Sequence, residues 1–224
     1  MDHSLIFLSP LPPRRAAMCV GKCTRILGPC LLTLGVLSIA ANVLLLFPGW
    51  AWKYLADGHI TKEAKAMPGV WGGGIIVLLA ATHITAVGWR YSGNIFGSGP
   101  CLHYRVFPSQ VFLSIVLSML ALLGSAASFI MSGVGLTNGP FCLYNTSSNE
   151  LDYGPRWGYP FVDPNSQTFD SSLWSTCLEP VGIVTWNVCF FSMLLLISAC
   201  EMVLTSLQII NGCFGSLCGF CDGK

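Results

Sequence analysis

Ile26-Leu27-Gly28-Pro29-Cys30-Leu31-Leu32-Thr33-Leu34-Gly35-Val36-Leu37-Ser38-Ile39-Ala40-Ala41-Asn42-Val43-Leu44-Leu45-Leu46-Phe47 contains no charged side chain. About 20 apolar residues in a helix cross a bilayer core of about 30 Å, so this run is long enough to span. Three more runs match it. Gly69 to Trp89 is broken only by His83, Val106 to Leu136 is uncharged, and Ile183 to Ile210 carries the one carboxylate Glu201. No water is available at that depth, so each run must satisfy its backbone internally, as a helix. Trp71, Trp89, Tyr91 and Trp186 sit at span ends, where amphipathic rings favour the interface.

Composition agrees. Charged residues are 9% of the 224 positions and hydrophobic ones 53%, against about 25% charged in a soluble domain. That is too little charge to cover four helices in water. It also excludes a disordered chain and an ordinary cytosolic enzyme, and the net charge of +1 gives no nucleic-acid partner a surface to bind. The expected architecture is an all-α membrane protein, a four-transmembrane-helix bundle with one large outer loop. Its segments are residues 1–25 (amino-terminal segment), 26–47 (first span), 48–68 (first outer loop), 69–89 (second span) and 90–105 (inner loop). Residues 106–136 (third span), 137–182 (large outer loop), 183–210 (fourth span) and 211–224 (tail) complete it.

Lysine and arginine counts set the orientation. Arg14, Arg15, Lys22, Arg25, Arg90, Arg105 and Lys224 fall on one side, seven in all, and Lys53, Lys62, Lys65 and Arg156 on the other, four in all. Both termini are therefore expected in the cytosol. Residues 1–17 pair a short apolar run, Leu5 to Leu8, with Pro10, Pro12, Pro13, Arg14 and Arg15. The run is too short for a signal-peptide core and its charge follows rather than precedes it, so a flexible cytosolic extension is expected.

The large loop holds five acidic residues and two cysteines, Cys142 and Cys177. Outside the cytosol such a pair most simply forms a disulfide. Asn145-Thr146-Ser147 is a glycan acceptor in the same loop. The loop is also rich in aromatic residues, among them Trp157, Tyr159, Phe161 and Trp174. Such rings either build the core of a folded loop or anchor a partner.

Within the bilayer, a carboxylate costs about 3 kcal/mol on insertion scales, so Glu201 must be neutral, paired or facing protein. At 1.5 Å per residue, Glu201 and His83 lie at similar depths, whereas Asn42 falls in the outer half. Glu201 is expected to face the bundle and to meet His83 or nearby hydroxyls. Gly124, Ser128 and Ser132 form a small-residue stripe on the third span, and Gly72, Gly73 and Gly74 stand together on the second. Helices in lipid approach closely at small residues, so these are expected packing seams within the monomer, or faces of a homo-oligomer.

Cys19, Cys23, Cys101, Cys213, Cys218 and Cys221 cluster at the expected cytosolic boundary, where membrane-edge thiols are S-palmitoylated. Two alternatives use the same atoms. Cys218-Gly219-Phe220-Cys221 has redox spacing, although a redox pair normally opens a helix beside a strand. Cys19, Cys23, Cys218 and Cys221 would make a four-thiolate zinc site if both chain ends met. No phosphate loop, zinc-protease helix or hydrolase elbow occurs, and no cofactor is implied.

Met18-Cys19-Val20-Gly21-Lys22-Cys23 resembles the opening of the four-transmembrane L-six antigen family. So do Ala41 to Pro48, Trp71-Gly72-Gly73-Gly74, Gly139-Pro140-Phe141-Cys142, Trp157 to Phe161, Cys177-Leu178-Glu179-Pro180, Trp186-Asn187-Val188 and Gln208 to Gly212. The resemblance covers nearly all of residues 18–221. Three features depart from relatives or from neighbouring tetraspan families. Residues 1–17 precede the methionine at which many members begin, the inner loop holds only Cys101, and the Cys-Cys-Gly motif of tetraspanins is absent. The resemblance implies a non-catalytic membrane organiser that binds integrins, receptors or other integral membrane proteins laterally, at the plasma membrane or in endolysosomes. The alternative is a regulatory partner of a transport complex, such as a vacuolar-type proton pump, acting through Glu201 and its span.

Overall fold

The structure, a computed structural model, describes residues 13–93, 108–145, 154–162 and 175–221. It contains four helical stretches long and apolar enough to cross a membrane: Cys23–Leu46, Lys62–Trp89, Gln110–Asn138 and Ile183–Phe214. Helix α1 runs from Pro13 to Leu46. It includes residues 13–17 of the stretch expected to be a flexible extension. Residues 1–12 lie outside the described residues.

The first loop is not irregular coil. A 3-10 turn at Pro48–Trp50 is followed by three short helices, α2 (Lys53–Ala56), α3 (Lys62–Lys65) and α4 (Pro68–Val70). The second span then opens with a π-helical turn, Trp71–Ile76, and continues as α5, Val77–Gly93. Helix α6 runs from Pro108 to Asn138 and stops at Gly139, whose φ of +72° is the left-handed conformation that ends many helices. Helix α7, Ile183–Cys221, continues past the expected span end at Ile210 and takes in most of the expected tail.

The large loop departs from an all-helical reading. Strands β1 (Cys142–Asn145), β2 (Pro155–Gly158) and β3 (Cys177–Glu179) form an antiparallel sheet in the order β2-β1-β3. The Cys142–Cys177 disulfide forms as expected and ties β1 to β3.

Helices α6 and α7 make the most extensive pairing, and α1 packs on both α5 and α7. Two apolar clusters sit at different heights. Leu31, Val77, Ala80, Ala81, Ile84 and Ala121 form one, near the chain termini. Ala41, Leu45, Ile60, Ala64, Phe191 and Leu194 form the other, near the loops. The glycine seams lie inside the monomer. A Cβ on Gly124 would sit 2.7 Å from the Gly72 carbonyl oxygen, and a Cβ on Gly72 would collide with the Gly124 carbonyl oxygen. Helix α6 therefore meets the π-helical turn backbone to backbone, a contact that small residues permit in lipid. Near the loop end of α6, the Phe191 ring of α7 fills the space that a Gly135 side chain would need.

Candidate functional site: a polar centre and an aromatic clasp

Between the two apolar clusters three of the four spans turn polar residues toward one another. Ser38 and Asn42 come from α1, Ser128 and Ser132 from α6, and Ser198, Glu201 and Thr205 from α7, all completely buried. Helical spacing explains the alignment. Residues 198, 201 and 205 recur at three and four along α7, as do 125, 128 and 132 along α6, which places each set on one helix face. Ser198 donates its hydroxyl to Ser128 Oγ at 3.1 Å. Ser38 Oγ donates to the Gly69 carbonyl at 3.0 Å, and Thr205 Oγ1 donates to the Glu201 carbonyl at 2.7 Å.

Glu201 faces the bundle, as expected, but its expected partner is absent. Neither carboxylate oxygen has a hydrogen-bond partner, and His83 Nδ1, itself buried, also lacks one. Similar depth along two helices does not fix the angle about them, and α5 turns His83 elsewhere. The carboxylate instead meets Gly73. The point where a Gly73 side chain would begin is 2.5 Å from Ser38 Oγ, 3.1 Å from Glu201 Oε2 and 3.4 Å from Ser128 Oγ. Asn42 lies beside Gly69, and both of its amide atoms are buried without a partner. Gly73 is thus what leaves room for this centre, while Gly72 packs on Gly124 and Gly74 on Ile39.

At the loop face a second cluster joins the two loops. His59 of the first loop stacks on Trp157, with ring centroids 3.9 Å apart and planes 6° from parallel. Phe141 stacks on Trp157 at 6.0 Å and meets Tyr159 edge-on at 5.1 Å. The Lys62 amide donates to the Tyr159 hydroxyl at 3.1 Å, and Asn138 Nδ2 donates to Glu63 Oε1 at 2.9 Å. Burial raises the Tyr159 pKa above its ordinary value; the Lys62 hydrogen bond opposes this and the nearby Glu63 charge adds to it. Phe161 is buried against Gly139.

Trp157, Tyr159 and Phe161 therefore build the loop core and its clasp onto the first loop. Trp174 lies outside the described residues. Among the described residues the most exposed tryptophans of the loop face are Trp50 and Trp52, at 75% and 72% exposure, neither of which the sequence singles out. Gly49 and Trp50 both take left-handed φ, +61° and +63°, in the turn after α1, and the Trp50 ring meets Trp186 edge-on at 6.2 Å.

Asn145 is exposed at the end of β1. Cys23 and Cys213 are exposed free thiols near the terminal face, and Cys30, Cys189 and Cys200 are exposed along the spans. Cys19 lies on α1, Cys218 and Cys221 lie at the end of α7, and Cys101 falls outside the described residues. No cluster of three or more histidine, cysteine or acidic residues occurs among the described residues.

The comparisons with known proteins agree with the resemblance. The profile described as L6 membrane protein matches residues 18–222. Transmembrane 4 L6 family member 19 of Mus musculus is 41% identical over 211 residues, covering 93% of this chain and 97% of that protein. The Homo sapiens member 19 is 41% identical over 203 residues, 89% of this chain and 93% of that protein. Homo sapiens member 1 is 37% identical over 206 residues, 91% and 96% respectively. No solved structure matches significantly. With a family profile and full-length relatives both covering the four spans and the disulfide-closed loop, this chain belongs to the L6 membrane protein family.

Proposed function

We propose that this protein is a non-catalytic tetraspan scaffold that holds other integral membrane proteins by lateral contact. The observation that carries this reading is the outward face of α6. Phe112, Leu113, Met119, Leu120, Leu123 and Ile130 all stand exposed along one helix, while its serines turn inward. The clasp between the loops supports the same reading, because it fixes one rigid outer platform above that face. In this reading both termini are cytosolic, Asn145 bears a glycan, and exposed Cys23 and Cys213, with Cys19, Cys101, Cys218 and Cys221, are the acylation candidates. Acyl chains would then select the membrane patch, at the plasma membrane or in endolysosomes.

Proximity labelling from a peroxidase fused to the carboxyl terminus tests it. Enrichment of integrins or receptors over an unrelated four-span control is the expected result, and labelling identical to the control rejects a scaffold role. A second reading, regulation of a transport complex such as a vacuolar-type proton pump, is favoured by the buried Glu201 carboxylate. Intramembrane ionisable groups commonly mark ion or proton pathways. Recovery of pump subunits, lost on Glu201→Gln, would select that reading.

A further inference from the structure

The polar centre has a chemistry that lateral scaffolding does not use. Four oxygens gather there: Glu201 Oε2, the Ser38 and Ser128 hydroxyls, and the Gly69 carbonyl to which Ser38 donates. Of these, Glu201 is completely buried and has no protein partner at either carboxylate oxygen. Native proteins rarely leave such a group unmet, and a bound ion or water is its usual partner. No lysine or arginine is among the described buried residues.

The backbone is shaped to the same end. Gly69 stands two residues before the π-helical turn and Gly73 within it, and π-helical turns recur at functional sites. At Gly73 any side chain would occupy the space bounded by Ser38, Glu201 and Ser128.

We infer that Glu201, Ser38, Ser128 and the Gly69 carbonyl form a binding site for one small monovalent cation, sodium in kind. An all-oxygen donor set selects a hard cation. A divalent ion is poorly matched, because calcium sites bring several carboxylates and six to eight oxygens, whereas one carboxylate here balances one charge. Membrane proteins also hold sodium near mid-depth through backbone carbonyls at irregular helix turns, and Gly69, just before the π-helical turn, offers one here.

The test is thermal unfolding of the full chain in lipid nanodiscs, in sodium, potassium or N-methylglucamine chloride at constant ionic strength. Sodium should raise the midpoint in a saturable way, by about 3–6 °C at ten times its dissociation constant, and N-methylglucamine should not. Glu201→Gln, which keeps the side chain's shape, should abolish the shift. Should that variant not fold, Ser38→Ala serves instead and should raise the half-saturating sodium concentration about tenfold. Equal midpoints in all three salts, as a water-filled centre would give, overturn the site. So does a sodium shift that survives Glu201→Gln, or a half-saturating concentration unmoved by Ser38→Ala.

Discussion

Gly72→Ala is the sharpest probe of how the bundle closes. In a helix exposed to no neighbour, alanine in place of glycine stabilises by about 0.5–1 kcal/mol, because the unfolded chain loses freedom. At Gly72 the added methyl would meet the backbone of Gly124, its carbonyl oxygen and then its carbonyl carbon at 3.1 Å. Backbone atoms cannot rotate away as a side chain does. Helix α6 must back off from the π-helical turn, and overpacking of that kind costs about 1–3 kcal/mol. The propensity gain offsets part of this, leaving a net loss of about 1–2 kcal/mol and a midpoint lower by about 2–8 °C for a chain of this length. Gly133→Ala is the matched control. It lies on the same helix as Gly124, and its methyl would meet only Leu195 Cδ2 at 3.9 Å, so its midpoint should hold or rise slightly. Gly72→Ala and Gly124→Ala open one seam, so the double variant should lose less than the sum of the singles. Melting of the three variants in nanodiscs reads all of this. A Gly72→Ala protein as stable as Gly133→Ala, or full additivity of the seam pair, would refute backbone-to-backbone packing there.

Other consequences concern the loop face. Replacing Cys142 by Ser opens a loop of 35-residue separation, which chain-entropy arguments put at about 4 kcal/mol; faster cleavage of the large loop by added protease should report it, and unchanged protection would contradict a sheet tied through that bond. Tyr159→Phe removes the acceptor for the Lys62 amide and should cost about 1 kcal/mol. Because burial raises the Tyr159 pKa in the fold, its contribution is complete below the unfolded value of about 10 and fades as pH rises through the higher folded value. Spectrophotometric titration should therefore show one tyrosine ionising late, absent in Tyr159→Phe. Trp157→Ala breaks the 3.9 Å stack on His59 and should lower stability by about 2 kcal/mol, less than a fully buried tryptophan; a smaller change in a melt than Trp52→Ala would contradict the clasp. Asn145→Gln should abolish the mobility shift that glycosidase treatment produces on a gel, and an unshifted wild-type chain would exclude the glycan.

The four spans were legible because hydrocarbon imposes a demand that sequence states directly, a long run without charge. Their ends were less so. Helix α7 continues through Asn211-Gly212-Cys213 to Cys221, since a helix leaving the bilayer has no reason to stop where the lipid does. The sheet in the large loop was not legible. Its strands are three or four residues long, too short for an alternation to declare itself, and β3 pairs through an irregular register that follows from tertiary contact. The disulfide was readable from compartment logic alone. What pairs with Glu201 was not: depth is linear in residue number, but facing requires the relative rotation of two helices, and the π-helical turn alters that rotation just before α5 begins.

That turn also explains why the polar centre was seen only in pieces. On α6, a rule made for water would bury Phe112, Leu123 and Ile130 and expose Ser118, Ser125, Ser128 and Ser132. The structure does the reverse, with those apolar residues exposed and all four serines buried. In lipid the large apolar side chains lose nothing by facing outward, so the driving force that sorts residues in water is missing. What remains is close packing and the need of each polar atom for a partner. Small residues win the interior because they let backbones approach, and polar ones win it because hydrocarbon cannot serve them. Gly73 satisfies both conditions at one position. It admits α7 to contact, and it leaves bare the space into which Ser38, Ser128 and Glu201 direct their oxygens. A side chain there would improve neither the packing nor the polar balance, so a Gly73→Ala chain should lose stability and sodium response together, whereas Gly133→Ala should lose neither.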